Sequence, residues 1–322
     1  MDIRQLRYFV AIAEERAISR AAERVGVAQP SLSQHVMRLE EELQTQLLVR
    51  DARGVVLTET GALLLAHARQ ILKYVDLARE EIRHHGTEAR GQVSVALPGS
   101  IGQPLSVPLV QAAEERLPGV SLRIVEGMSG HIERWVEDGQ VDIGFIFSVG
   151  HVRHLSVRKL LTEDLYLILP PPALRGAIGT NGILSDPVPL SAVAGMRLIL
   201  PSVTHGLRDL IDRSTRAAGL TFRVQTEIDA LPQIKKLVEL GSGVSILSLA
   251  AVHDELCDGR LVAARLVDPS IQRSVHLVRH PGRVVTRASL EVEALLLDVM
   301  RSLVKRGMWM ASMDETDAPF TK

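Results

Sequence analysis

A shortage of cysteine and of long apolar runs sets the first limits on this chain. Its 322 residues include one cysteine, Cys257, so no disulfide can form within the chain, a composition typical of a reducing compartment. No uninterrupted apolar segment approaches the roughly 18–20 residues of a membrane span. The N-terminus has the charge pattern of an amphipathic helix, not that of a signal peptide. We therefore predict a soluble, cytoplasmic protein that does not associate with a membrane.

The chain also lacks an excess of charge of either sign. Its net charge is −1, and residues 1–90 contain 13 basic and 13 acidic side chains. A nucleic-acid surface in this region would therefore depend on where the charges lie, not on how many there are. The apolar fraction of 46% and the length of 322 residues predict an ordinary globular protein of two domains or more.

Apolar residues at helical spacing predict three short helices at the N-terminus, over about 3–14, 19–25 and 29–43. Gly26 ends the second helix, and the third begins three residues later, which is the spacing of a helix-turn-helix. The third helix, within AQPSLSQHVMRLEEEL, is unusual on its outer face. Its first half carries small hydroxyl and amide groups, whereas its acidic residues are confined to the second half. This division suggests that only the first half meets a partner.

Two β-rich pieces flank the turn Asp51–Gly54 and predict a hairpin, or wing, followed by a long helix that Thr58 or Thr60 caps. The long helix carries apolar residues at steps of four and three, the a/d spacing of a coiled coil. These residues predict a dimer interface: Leu64, Ala68, Ile71, Val75, Ala78 and Ile82. An amphipathic helix that lies on its own domain is the alternative for the same pattern.

Beyond the polar segment 84–92, predicted strands alternate with helices, which indicates α/β layers around largely parallel sheets. The strands are expected over 91–97, 120–126, 141–147, 163–169, 195–201, 222–228, 243–249 and 274–280, and helices include 106–116, 205–218 and 231–240. The polar tail, 308–322, is predicted to be disordered.

The N-terminal pattern resembles the winged helix-turn-helix of LysR-type transcriptional regulators. The matching residues are Leu6–Phe9, the alanine pair 21–22, QPSLSQ, the pair Leu39–Glu40 and LTETG. One departure is Ala28, where many members have a serine. The segment LLTEDLYL is similar to the nitrogen-assimilation-control branch of the family. The resemblance covers nearly the whole chain.

The family resemblance implies an α/β protein with an all-α winged helix-turn-helix, a long linker helix and a two-lobed sensor like the periplasmic binding proteins. The expected boundaries are 1–58 for the DNA-binding domain, 59–88 for the linker helix and 91–307 for the sensor, with lobe I at 91–161 and 268–307 and lobe II at 162–267. The implied partners are promoter DNA, RNA polymerase, a small-molecule effector and further copies of the chain, as a homodimer or homotetramer.

The helix-turn-helix places the start of its third helix in the major groove. Gln34 can donate and accept at an adenine, Ser33 can bond to several bases, and Pro30 can contact a thymine methyl. Arg53 at the wing tip suits a narrow minor groove, and Arg50 and Arg4 suit phosphates. The full set of expected DNA-binding residues is Gln29, Pro30, Ser31, Ser33, Gln34, Arg38, Arg50 and Arg53.

The family's ligand lies between the lobes, on loops that follow strands. By position in the pattern, the resemblance implies a set of effector-binding residues: Ser100, Ser129, His131, Phe147, Thr204 and His205. Hydroxyls beside helix starts suit an anionic group such as a carboxylate. Simple helix capping is the alternative role for these serines and threonines.

An enzyme and a solute-binding protein are the competing interpretations. The sequence contains no G-x-S-x-G, no phosphate-binding loop and no dinucleotide fingerprint, so we expect no catalytic residues and no cofactor. The histidine pairs lack carboxylate or cysteine partners at metal spacing, so no metal site is expected. A solute-binding protein would leave residues 1–85 without a role.

Overall fold

The computed structural model describes residues 1–51, 54–83, 89–150, 152, 154–171, 179, 181–203, 205–283 and 285–314. The chain divides into two compact units. The first consists of Met1–Glu88 with the short segments Asp138–Gln140 and Gly282–Thr286, and the second contains the remainder. No helix in the described part combines the length and apolar character that a membrane span requires.

The first unit begins with three helices, as the periodicity predicted: α1 (Ile3–Glu15), α2 (Ile18–Val25) and α3 (Gln29–Leu43). Asp2 caps α1 through a reciprocal pair of hydrogen bonds with Gln5. Gly26 ends α2 in the left-handed conformation, with a φ of 70°. The buried faces of the three helices, which include Leu32, form one small core.

The wing consists of β1 (Leu48–Asp51) and β2 (Gly54–Leu57), which pair antiparallel, and α4 (Glu59–Arg83) follows it. Of the two predicted caps, Thr58 is the one that accepts a hydrogen bond from the backbone N–H of Gly61, at 2.9 Å. The hairpin and the long helix were therefore predicted correctly, and the cap is now assigned.

Part of the predicted coiled-coil seam of α4 packs inside its own unit, so a dimer contact is wrong for Ala68, and the dimer role of the other seam residues stays a prediction. Ala68 is fully buried, and Leu64 and Ile71 pack on the same core as Leu6 and Phe9 of α1. An alanine buried within one chain cannot also contact a second copy. Val75 is half-buried and Ala78 is exposed, whereas the side chain of Ile82 lies outside the described residues.

The second unit alternates strands and helices. Its first part contains β3 (Gly91–Leu97), α5 (Gly99–Arg116), β4 (Val120–Glu126), α6 (Ser129–Glu137), β5 (Ile143–Ile146) and β6 (Ser156–Leu169). Its middle contains β7 (Val188–Pro189), α7 (Leu190–Val193), β8 (Leu198–Leu200), α8 (Gly206–Ala217), β9 (Val224–Glu227), α9 (Leu231–Glu239) and β10 (Ser245–Ser248). After a 3-10 turn come α10 (His253–Cys257), β11 (Val262–Val267), β12 (Gln272–Arg279), α11 (Arg287–Lys305) and β13 (Ser312–Met313).

The sheets are mixed, and the prediction of largely parallel sheets was wrong for the central strands. The pairs β3–β4, β3–β5 and β8–β9 are parallel. In contrast, β12 pairs antiparallel with β5 and β6, and β10 and β11 pair antiparallel with β6. Helical crossovers connect the parallel pairs, whereas β6 and β12 are the strands that join two separate cores.

These two cores define the lobes of the second unit. The core of lobe I includes Val93, Phe145, Leu161 and Val275, and that of lobe II includes Leu165, Ile199 and Ile271. The chain therefore passes from one core to the other within β6 and again near the start of β12. Each lobe buries its own apolar faces, and β6 and β12 run continuously from one lobe to the other through the sheet.

The expected disorder of the tail is wrong for residues 308–314. Trp309 is fully buried, and its indole N–H donates to Oε2 of Glu163 at 2.8 Å. Ser312 and Met313 form β13 beside β6. A single large aromatic side chain anchors this polar segment, and composition alone could not reveal that. Residues 315–322 lie outside the described part.

Candidate functional site

Helix α3 exposes the side that the sequence assigned to DNA. Leu32, Val36 and Leu39 are buried against the rest of the first unit. The expected DNA-binding residues lie on the other side of the helix, exposed except for a half-buried Ser33: Gln29, Pro30, Ser31, Gln34 and Arg38. The first half of this face thus offers hydroxyl and amide groups to solvent, with few charges.

The start of α3 is open to an anion. Ala28 at the N-cap forms no side-chain hydrogen bond, so the cap residue does not cover the N–H groups of the first turn. The positive end of a helix of this length favours a phosphate oxygen. A serine at this position would compete for the same N–H groups, whereas the alanine leaves them available.

The acidic second half of α3 is tied to the protein itself. Oε1 of Glu40 accepts hydrogen bonds from the backbone N–H groups of Leu47 and Leu48, at 2.8 and 3.1 Å. Glu42 pairs with the N-terminal ammonium of Met1. These contacts give the acidic residues a structural role, since Glu40 fixes the start of the wing strand relative to the recognition helix.

The basic residues expected at DNA are only partly described. Arg4 and Arg38 are exposed. Arg50 lies in β1, and its side chain is outside the described residues. Arg53 is outside them altogether, so its minor-groove role stays a prediction.

A cavity of about 220 Å³ lies between the two lobes of the second unit. Lobe I contributes Ser100, Glu126 and Met128, and lobe II contributes polar residues together with an apolar wall. The lining residues from lobe II and from β12 are Pro201, His205, Leu207, Asp229, Leu231, Ile234, Leu247 and Arg273. The cavity offers several times the roughly 30 Å³ of one liquid water, which suits a small metabolite.

Arg273 of β12 forms the polar centre of the cleft. Its Nε donates to Oε1 of Glu163 at 2.6 Å, and its Nη2 donates to Oγ of Ser100 at 3.1 Å and of Ser248 at 2.9 Å. The guanidinium also lies over the ring of Phe147, 4.0 Å from its centroid. One buried cation thus joins residues from both lobes.

Two carboxylates line the same cavity from opposite lobes. Asp229 accepts hydrogen bonds from the backbone N–H and the hydroxyl of Ser202, at 2.8 and 3.0 Å. The backbone hydrogen bond is the main cause that lowers the pKa of Asp229, so this carboxyl is ionised at neutral pH. Glu126 is the last residue of β4, and its carboxylate lies beside the first turn of α5. A Cβ added at Gly99 would be 2.6 Å from Oε1 of Glu126.

His205 caps α8 within the cleft. Its Nδ1 accepts a hydrogen bond from the backbone N–H of Leu207 at 3.2 Å. Burial is the main cause that lowers the pKa of His205; Asp229 raises it in part and Arg273 lowers it. The ring is therefore neutral at pH 7, and with Nδ1 accepting, it carries its proton on Nε2.

The expected effector-binding residues fall into different surroundings. Ser100 and His205 line the cavity, and Phe147 supports Arg273 from behind. Ser129 and His131 lie on α6, where His131 stacks on Trp135 with ring centroids 6.1 Å apart, and neither belongs to the described lining. Thr204 lies outside the described residues.

Comparison with known proteins agrees with both halves of the chain. Residues 3–62 match the family model described as "Bacterial regulatory helix-turn-helix protein, lysR family", and residues 86–301 match "LysR substrate binding domain". The chain belongs to the LysR family. Its members are transcriptional regulators and not enzymes, so this chain is a DNA-binding regulator with an effector-binding domain.

Individual relatives cover nearly the full length of this LysR-family regulator. It is 32% identical to the nitrogen assimilation regulatory protein Nac of Klebsiella aerogenes over 95% of this chain and 96% of that protein. The fold matches a cysteine-to-aspartate variant of full-length OxyR from Pseudomonas aeruginosa with a TM-score of 0.74, at 22% identity and 99% coverage of both chains. Full-length CbnR in complex with its target DNA matches with a TM-score of 0.54 at 21% identity, over 93% of this chain and 99% of that one.

The sequence did not identify the central residues of the cleft in this regulator. Sequence reasoning missed Arg273, Glu163 and Asp229. Arg273 and Glu163 lie in strands and are 110 positions apart, so no local pattern links them. One signal was present: in the strand QRSVHLVR, Arg273 alternates with the apolar Val275 and Leu277, which places it on the inward face. A charged residue at an inward position of a buried strand requires a partner, and that requirement marks a site.

Proposed function

We propose that this LysR-family regulator reads a specific promoter sequence with the first half of α3 and that a small molecule in the inter-lobe cleft controls its output. The observation that carries the DNA-reading proposal is the exposed, nearly uncharged face of Pro30, Ser31 and Gln34 on a helix whose opposite face is fully packed. Hydroxyl and amide groups on such a face can hydrogen-bond to base edges in the major groove, and contacts to base edges are what specify a sequence. The CbnR–DNA complex supports the assignment by its shared fold.

The proposal extends to assembly and to location. Two copies joined through α4 would present two recognition helices to half-sites about one helical turn, ~34 Å, apart. Pairs of dimers would form a homotetramer, and contact with RNA polymerase would convert binding into a change in transcription. Because a bacterial chromosome is transcribed in the cytoplasm, this is where the regulator would act.

The effector part of the proposal rests on the cavity between the lobes. A ligand changes the output only if it binds the closed and open arrangements of the lobes with different affinity. Residues from both lobes line the cavity, which supports such a difference, because a change in the distance between the lobes would change the contacts of a bound ligand.

A substitution at Gln34 tests the DNA-reading assignment. The binding site is first selected with the wild-type protein from a pool of randomised duplexes. Gln34→Ala is then expected to lose about 1–3 kcal/mol of discrimination at one base position, with little change in its affinity for random DNA. Binding to the selected site and to each single-base variant of it is measured by fluorescence anisotropy.

Gln46→Ala provides the matched control, because Gln46 is an exposed glutamine outside α3. It is expected to bind the selected site and its variants as the wild type does. If Gln34→Ala and Gln46→Ala kept the same discrimination at every position, α3 would not read bases through Gln34.

A further inference from the structure

The charges around the cleft do not suit a simple anion. Glu126 and Asp229 both line the cavity, one from each lobe. The carboxylate of Glu126 lies at the start of α5, beside Gly99, which is where the helix would otherwise attract the carboxylate of a ligand. An anion beside Glu126 and Asp229 would therefore meet two negative charges. A cationic group there would be attracted to both.

The part of the lining formed by Arg273 has the opposite charge. The side chain of Arg273 is only 2% exposed and lines the cavity. Its hydrogen bonds to described residues use Nε and Nη2, which leaves Nη1 without such a bond. Ser100 accepts from Arg273, so its own hydroxyl proton remains for a ligand. Arg273 and Ser100 thus offer two donors to an oxygen.

The remaining lining is apolar. Met128 faces the cavity from lobe I, and Leu207, Leu231, Ile234 and Leu247 face it from lobe II. These side chains can cover a hydrocarbon group of a few carbons, and burying each CH₂ is favourable. The three kinds of lining together describe a molecule with an acid, a base and an apolar part.

We propose that the cleft binds a small zwitterion, an α-amino acid with an apolar side chain. Its carboxylate lies on Nη1 of Arg273 and the hydroxyl of Ser100, and its ammonium lies between Glu126 and Asp229. This inference rests on the proposed effector role of the cleft and names the ligand class. The ammonium would also couple binding to lobe closure. Without a ligand, the carboxylates of Glu126 and Asp229 on opposite lobes repel each other, whereas a bound ammonium attracts both and so favours the closed arrangement of the lobes.

The experiment begins with the full-length protein and the standard amino acids, whose binding is measured by isothermal titration calorimetry. L-leucine is the reference probe, and two analogues each lack one charged group: 3-methylbutylamine lacks the carboxylate and 4-methylpentanoate lacks the ammonium. We expect leucine or another apolar amino acid to bind at least about ten-fold more tightly than either analogue. Tighter binding of 4-methylpentanoate than of leucine, or no binding of any amino acid at millimolar concentration, would overturn the proposal.

Two exposed carboxylates allow variants that keep the fold. Glu126→Gln and Asp229→Asn are each expected to weaken leucine binding at least about ten-fold and to leave 4-methylpentanoate unchanged or bound more tightly. Asp186→Asn, at an exposed acid outside the cavity lining, is the control and is expected to bind leucine as the wild type does. If both cleft variants retained wild-type affinity for leucine, the ammonium site would be wrong.

The readout separates this inference from the proposed function. Selected-site DNA binding of the same variants is measured by anisotropy with and without leucine. Intact, base-specific DNA binding with no amino-acid binding would refute the zwitterion alone. Amino-acid binding that never changes DNA binding would leave the ligand class in place and refute its regulatory role.

Discussion

At the scale of single residues, the Arg273–Glu163 pair presents the sharpest energetic question in the second unit. Both side chains are at most 2% exposed, and their N···O distance is 2.6 Å. Removing two charges from water is costly, and their mutual attraction compensates only when the other polar atoms are also satisfied. Here Trp309 donates to the second oxygen of Glu163, and Ser100 and Ser248 accept from the guanidinium. The pair therefore depends on these hydrogen bonds, which satisfy both oxygens of Glu163 and the Nε and Nη2 of Arg273.

Glu163→Gln tests that dependence by keeping the shape and removing the charge. It leaves the buried Arg273 without a counter-ion, and we expect the free energy of unfolding of the second unit to fall by about 3–5 kcal/mol. Both tryptophans of the chain, Trp135 and Trp309, lie in this unit, so tryptophan fluorescence during urea unfolding reports on it selectively. Asp298→Asn is the control: Asp298 pairs with Arg116 and Arg301 at the surface, and its loss should cost about 1 kcal/mol or less. Equal effects of the two substitutions would show that burial does not strengthen the Arg273–Glu163 pair.

The same residues mark how far sequence reasoning reaches. The position of Gln34 and Ser33 on the outer side of α3 could be predicted because helical spacing is local, and their role at DNA stays a prediction. Trp309 was not found, because the polar composition of the tail predicts disorder and gives no sign that this side chain reaches the core. Its partner Glu163 is 146 positions away, and only the folded chain brings the two together.

At the scale of elements, the contact between α4 and the loop before the wing depends on Gly61. A Cβ at this position would lie 2.0 Å from the backbone carbonyl oxygen of Leu47, so any larger residue must push the helix away from the wing. Gly61→Ala should therefore be destabilising even though alanine is favoured over glycine within helices by about 1 kcal/mol. We expect amide hydrogen exchange in α1 and α4 to accelerate at least about ten-fold.

Gly130→Ala is the matched control for Gly61→Ala. Gly130 also lies in the first turn of a helix, α6, but a Cβ at this position would have no neighbouring atom within 4 Å among the described residues. Alanine should leave exchange in α6 unchanged or slow it. Faster exchange in both variants would mean that the effect comes from the loss of glycine itself and not from the approach of Leu47.

Element boundaries followed from the sequence where the pattern was local. The three N-terminal helices and the hairpin matched to within one or two residues. Strand β6 was predicted as seven residues but extends over 14. The prediction was too short because the charged Arg158 and Lys159 interrupt the apolar pattern in the first half of the strand. Nη2 of Arg158 forms an ion pair with Oε1 of Glu293 in α11, at 2.8 Å. The sequence of the strand alone could not predict this contact. Long-range pairing decided what periodicity could not.

At the scale of the whole molecule, α4 packs within its own unit and is proposed to contact a second copy as well. The first part of the predicted seam, centred on Ala68, is used within the chain, and ion pairs of α1 with α4, Arg7–Asp76 and Glu14–Arg69, hold the two helices together. Val75 and Ala78 lie past this core and belong to none of the apolar clusters of the described residues. A dimer contact along the seam is therefore expected from Val75 onward.

Val75→Asp combined with Ala78→Asp should separate the copies. Each aspartate would have to be buried without a partner in the interface, and a cost of about 3 kcal/mol raises the dissociation constant more than about 100-fold. Sedimentation velocity at micromolar concentration measures the loss of the larger species. Ala62→Asp, at an exposed alanine on another side of the same helix, should leave assembly unchanged.

The separated chains should also lose affinity for DNA with paired half-sites. Each chain should keep its base discrimination, because neither substituted position lies in α3. An unchanged assembly in the double variant would move the interface off this part of α4, and the exposed Leu63, at 63% exposure, would then be the next apolar residue of the helix to substitute.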